Sequence, residues 1–122
     1  MKKLFLLILF CLSNFIGQAQ EVSCDDLIKF IENNGKLEKQ VMSLVLDSSW
    51  LQKVTLYKYD NKYYVVAKIK KDEYSYFTKS YVFCNIPYSN WTRFYSLYNY
   101  SSSDTYGERF HKYIIDYICD CY

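Results

Sequence analysis

Cys24, Cys84, Cys119, Cys121 and the single histidine, His111, are the residues of this 122-residue chain with the widest chemical range. Thiols can close disulfides, hold a soft metal ion or act as nucleophiles. Cys24 and Cys84 stand alone in the sequence, and one residue separates Cys119 from Cys121. That spacing is unlike a zinc knuckle, so two disulfides are the expected use and no metal site is expected. Cys119 and Cys121 are too close to pair comfortably with each other. Each is therefore expected to reach a separate partner, Cys24 or Cys84, with both connectivities open.

His111 is flanked by Glu108, Arg109 and Lys112. To act as a general base it would need a nucleophile or carboxylate within hydrogen-bond reach. The sequence shows no serine elbow, phosphate loop or paired-carboxylate signature to accompany it. The expectation is a structural histidine in a chain that is not an enzyme and uses no cofactor, with a small hydrolase as the lesser alternative. Arg109 is expected to form an ion pair with Glu108 or Asp116.

All 15 tyrosines fall between Tyr57 and Tyr122. Exposed rings could form a platform for sugars, bases or peptide side chains. Tyrosines also build core rims and outer sheet faces, having one apolar and one wet end, and alternation along the strands favours that use here. Tyr63, Tyr81, Arg109 and His111 mark the candidate binding surface. Asn90 with Thr92, and Asn99 with Ser101, form glycosylation sequons.

The compartment follows from the first residues. Lys2 and Lys3 precede the apolar run Leu4 to Leu12, and Gly17 and Ala19 are small residues ahead of Gln20. This is the layout of a cleavable secretory signal over residues 1–19, cut between Ala19 and Gln20. Phe10 before Cys11, and Glu21 leading into Cys24, do not offer the small, apolar approach of a lipoprotein signal. The run is too short to span a membrane, so no span is expected after cleavage. Removing 19 of 122 residues leaves 103, one small domain, and takes away Cys11 and two lysines. The remaining 13 basic and 13 acidic residues balance. That balance argues against nucleic-acid binding, and a secreted or periplasmic monomer with a protein or glycan ligand is expected.

The elements that must position these residues can be read from periodicity. Ser23 caps a helix carrying Leu27, Ile28 and Ile31, with Asp25 and Asp26 in its first turn, and Asn33, Asn34 and Gly35 end it. Val41 to Leu46 fits either a strand or the end of a second helix. Leu51 to Tyr59 and Lys62 to Lys70 alternate around an Asp60-Asn61 turn and predict a hairpin. Tyr74 to Asn85 predicts a third strand. Tyr88, Trp91, Tyr95 and Tyr98 repeat at helical spacing, and Asn99 to Asp104 reads as a loop. Thr105 and Glu108 form a capping box for a helix running to the end of the chain, with Cys121 on its buried side. The expected fold is a small α+β domain with a three-stranded antiparallel meander packed by an N-terminal helix and two C-terminal helices. One sheet face is expected to be covered and the other left to tyrosines and lysines.

Ser48, Ser49 and Leu51 leading to Val54 and Tyr57, then Tyr81, Val82, Phe83, Asn85, Ile86 and Pro87, then Gly107, Phe110 and Ile114, resemble the KTSC domain. The resemblance covers Ser48 to Tyr117 and divides the mature chain into an N-terminal helix and linker, 20–47, and a KTSC-like domain, 48–122. The family occurs at the C-terminus of some lysyl-tRNA synthetases and as small stand-alone bacterial proteins. Phe83 replaces the second tyrosine of its Tyr-x-Tyr pattern, and His111 stands where asparagine is common, as in a divergent, exported bacterial member. The resemblance implies RNA binding, which the balanced charge and export oppose. A binding or interaction module outside the cytoplasm is the preferred expectation.

Overall fold

The computed structural model describes residues 22–72, 76–96 and 104–122. The signal segment with Ala19 and Gln20, the Asn99 sequon and the start of the expected third strand lie outside the described residues.

Helix α1, Cys24–Asn34, begins as its sequence dictates, with Ser23 Oγ accepting from the Asp26 N–H at 3.1 Å. Ile28 and Ile31 form its buried side. It ends at Gly35, whose backbone is extended, with φ −76°. Glycine is required there for a close approach: a Cβ would stand 2.6 Å from the Ile31 carbonyl oxygen.

The chain then forms strand β1, Lys36–Met42, a single helical turn α2, Ser43–Leu46, and strands β2, Leu51–Tyr59, and β3, Lys62–Lys70. Asp60 and Asn61 both take positive φ, 51° and 59°, the backbone twist that a tight hairpin turn needs. Strand β4, Thr78–Phe83, completes a sheet of order β1-β2-β3-β4, antiparallel throughout. The architecture is mixed α+β, but the sheet has four strands, not three. β1 escapes periodicity because it is an edge strand with one buried residue, Val41. Val41 to Leu46 is divided between the end of that strand and α2.

Helices α3, Tyr88–Tyr95, and α4, Tyr106–Tyr113, follow, and then a 3₁₀ turn, Ile115–Tyr117. The expected capping at Thr105 is present, its Oγ1 accepting from the Glu108 N–H at 3.1 Å. The last helix does not run to the end of the chain. It stops at Tyr113, and Ile118 bridges to Phe83 in the manner of a strand.

Both sheet faces are covered, which corrects the expectation of one open face. On one face Val54, Leu56, Val65, Ala67 and Phe83 pack against Trp91, Phe94 and Phe110 of α3 and α4. On the other, Tyr57, Val66 and Val82 meet Ile28 and Ile31 of α1. A register shift between Leu51 and Lys53 brings Leu51 into the first core alongside Val54. Burying each of these large apolar side chains contributes on the order of 1.5–3 kcal/mol.

Two disulfides close the fold, Cys24–Cys121 and Cys84–Cys119. They lay the C-terminal segment along β4, where the Cys84 N–H donates to the Tyr117 carbonyl at 2.8 Å. The Cys119 N–H donates to the Val82 carbonyl at 3.2 Å, and the Val82 N–H donates to the Tyr122 hydroxyl at 3.0 Å. No helix among the described residues is long and apolar enough to cross a membrane.

Candidate functional site

The helical spacing of Tyr88, Trp91 and Tyr95 gives α3 an aromatic side. Trp91 and Phe94 are buried, while Tyr88 and Tyr95 stay exposed at its two ends. Pro87 precedes the helix, with extended backbone that turns the chain across the sheet. Between α3 and the edge strand β1 runs a groove of about 470 Å³, lined by Lys39, Val41, Val45, Trp91, Tyr95 and Tyr106 among others. Trp91 and Tyr95 are stacked, with ring centroids 5.7 Å apart and planes 15° from parallel. Lys39 Nζ lies 5.6 Å from the Tyr95 centroid. Tyr88 meets Tyr63 at 5.1 Å, and Lys58 Nζ lies 5.5 Å from the Tyr63 centroid. The groove is thus mainly apolar and aromatic, with cations at its rim, the character of a ligand-binding concavity.

No family model matches this chain, and neither does a curated protein or a solved structure.

Arg109 sits behind the groove and not on an open surface. It is buried; its Nε donates to the Phe94 carbonyl at 2.9 Å and its Nη1 to the Asp104 carbonyl at 2.6 Å. Its guanidinium lies 4.3 Å from the centroid of Tyr106, a groove residue. The expected ion pair with Glu108 or Asp116 is replaced by two backbone carbonyls, which fit the planar donor fork of arginine. Arg109 therefore joins the end of α3 to the start of α4 and sets one wall of the groove. Lys112, not Arg109, pairs with a carboxylate, that of Asp104 at 3.2 Å.

His111 is exposed and borders a separate cleft of about 330 Å³ with Asp47, Ser48, Ser49, Trp50, Thr105 and Glu108. Its ring lies 5.1 Å from Trp50, tilted by 45°. Trp50 packs over Gly107, where an added Cβ would be 3.0 Å from Nε1, so a larger residue would make the indole give by a few tenths of an ångström. Ser48 Oγ accepts from the Trp50 and Leu51 N–H groups at 3.3 and 3.1 Å, an arrangement that shapes the turn. Among the described residues, neither His111 nor Ser48 has the partner that base or nucleophile chemistry needs. No group of three or more His, Cys, Asp or Glu among them is placed to hold a metal ion.

The structure separates the two candidate tyrosines. Tyr63 is half-buried on β3 and reaches the groove rim through Tyr88. Tyr81, on β4, contacts Tyr122 at 5.6 Å, with Lys79 over its ring at 5.1 Å, at the opposite edge of the sheet. None of Tyr63, Tyr81, Arg109 and His111 lines the groove, and none of the residues that do line it was singled out as a site from the sequence. The Tyr88, Trp91, Tyr95 repeat was visible, but Lys39 depends on β1, a strand that periodicity does not show. Asn90, at the head of a sequon, donates to the Tyr113 carbonyl at 3.0 Å, so its amide is already engaged in holding α3 to α4.

Proposed function

We propose that this chain is an exported, non-enzymatic binding module that takes its ligand in the aromatic groove between β1 and α3. The observation that carries the reading is the groove itself: stacked and exposed rings lie beside a sheet edge that no described element covers. The signal layout and two disulfides speak for a secreted or periplasmic location, where such bonds persist. Kinship with the KTSC domain is part of the proposal. In its favour, the motif residues Ser48, Ser49 and Gly107, distant in sequence, line one cleft, and Val54, Phe83, Phe110 and Ile114 share one core.

Peptide and glycan arrays probed with the oxidised chain test the reading. Bound spots should disappear with Tyr88→Ala combined with Tyr95→Ala, two exposed positions whose loss leaves the core intact. Absence of any bound spot would refute it. RNA binding, the alternative implied by the resemblance, requires salt-sensitive retention of single-stranded RNA that is unmoved by the double variant.

A further inference from the structure

We infer that the ligand is an extended acidic peptide segment, added as a fifth strand to the free edge of β1; the inference rests on the groove being the binding site. The two edges of the sheet are treated differently. β4 is covered by the C-terminal segment through the Ile118 bridge and the hydrogen bonds of Cys84, Cys119 and Val82. Among the described residues β1 is paired on one side only, with β2. Every second N–H and C=O of an antiparallel edge strand points outward, so β1 offers a hydrogen-bonding ladder along the wall of the groove, interrupted where the register shifts between Leu37 and Lys39. Its seven residues span about 23 Å at about 3.3 Å each, room for a peptide of similar length.

Charge selects the peptide. Lys36 stands directly opposite Lys58 in the β1–β2 register, and Lys39 follows on the same side of the sheet. Like charges placed opposite each other disfavour a sheet unless an anion lies between them. Among the described residues none of these three lysines has a carboxylate partner, and Lys39 and Lys58 rest over tyrosine rings at the groove rim. β1 also carries Glu38 between these lysines, so a second copy of the strand is the competing occupant, and the oligomeric state of the oxidised chain separates it from an acidic peptide. At the other end of the strand Met42 and Val45 are exposed. The matching peptide therefore places carboxylates toward Lys36 and Lys39 and apolar side chains toward Met42 and Val45. Backbone pairing distinguishes this partner from an acidic glycan, which has no ladder to offer.

The probe is an octapeptide of alternating valine and glutamate, titrated into the ¹⁵N-labelled oxidised chain. Amide shifts should concentrate in residues 36–42, with slowed exchange of the outward β1 amides. Lys36→Glu combined with Lys39→Glu should weaken binding at least tenfold. Lys79→Glu, at the opposite edge of the sheet over the Tyr81 ring, should leave it unchanged. Methylating alternate peptide nitrogens should also cost at least tenfold. Equal binding of the methylated peptide, or no shift at millimolar peptide, overturns the inference. Tighter binding of oligogalacturonate at the same residues overturns strand addition while leaving the groove as the binding site.

Discussion

Removing the Cys24–Cys121 disulfide should destabilise the domain more than removing Cys84–Cys119. The bond closes a loop of 97 residues, against 35 for Cys84–Cys119. Chain entropy alone assigns about 4.7 kcal/mol to the longer loop and about 3.8 kcal/mol to the shorter. The loops are nested, so with Cys84–Cys119 intact the effective longer loop shrinks to roughly 60 residues and its contribution to about 4.3 kcal/mol. A single domain has about 5–15 kcal/mol of stability in total, so this one bond accounts for a large share of it. Cys24→Ala with Cys121→Ala should therefore leave a marginal fold.

Urea unfolding followed by circular dichroism measures the effect. At a slope of about 1–2 kcal/mol per molar, the midpoint should fall by roughly 2–4 M. The loss also has a location. Cys24 opens α1 and Cys121 lies in the C-terminal segment, so amide protection should fall first at Ile28, Ile31 and Val82, the core under α1. A destabilisation below about 1 kcal/mol would refute the reasoning, because it would mean that packing of α1 alone already holds the two ends together.

Arg109→Ala should cost about 3 kcal/mol in thermal or chemical unfolding, since two carbonyls lose a charged donor inside the fold, and Arg109→Lys should recover only part of it. Gly35→Ala should destabilise by about 1–3 kcal/mol through the Cβ contact with the Ile31 carbonyl, and an unchanged melting temperature would show that the helix end can move aside. Thr55→Val should stabilise by about 1 kcal/mol, because the buried Thr55 hydroxyl has no hydrogen-bond partner among the described residues; a loss of stability would mean that it has one. Burial, first of all, raises the tyrosine pKa values of Tyr57, Tyr64 and Tyr122 above 10.0, helped by Glu32, Asp60 and Tyr81 respectively. The folded state then holds these protons more tightly than the unfolded state, so stability is full below pH 10 and declines above it, which unfolding at stepped alkaline pH would detect.

The hairpin was legible because Leu51 to Lys70 alternates around Asp60 and Asn61, whose side chains tolerate the left-handed backbone the turn demands. The caps at Ser23 and Thr105 were equally local and equally visible. β1 was not legible, since six of its seven residues escape burial and an edge strand needs no alternation. The covered second face was hidden for a related reason: alternation gives a strand two faces without saying what covers each, and Tyr57 and Val66 are buried only because Ile28 and Ile31 of α1 lie over them. Arg109 shows a different limit. Its carboxylate neighbours in sequence invited an ion pair, whereas its real partners are carbonyls at Phe94 and Asp104, which no side-chain pattern reports.

The cysteines bear on the binding site through the sheet edges and not through their own chemistry. A four-stranded sheet has two exposed edges, and each is open to pairing with a foreign strand. The disulfides hold Tyr117 to Cys119 against β4, so that edge is occupied by the chain itself. Among the described residues only β1 remains open, and it is the strand that borders the aromatic groove and carries Lys36 and Lys39. Reducing the protein would therefore do two things: loosen α1 and free a second edge at β4. A reduced chain that self-associates through residues 78–83, while the oxidised chain stays monomeric, would demonstrate that division of labour. Self-association of the oxidised chain through β1 would contradict it, and with it the claim that Lys36 and Lys39 reserve that edge for an acidic partner.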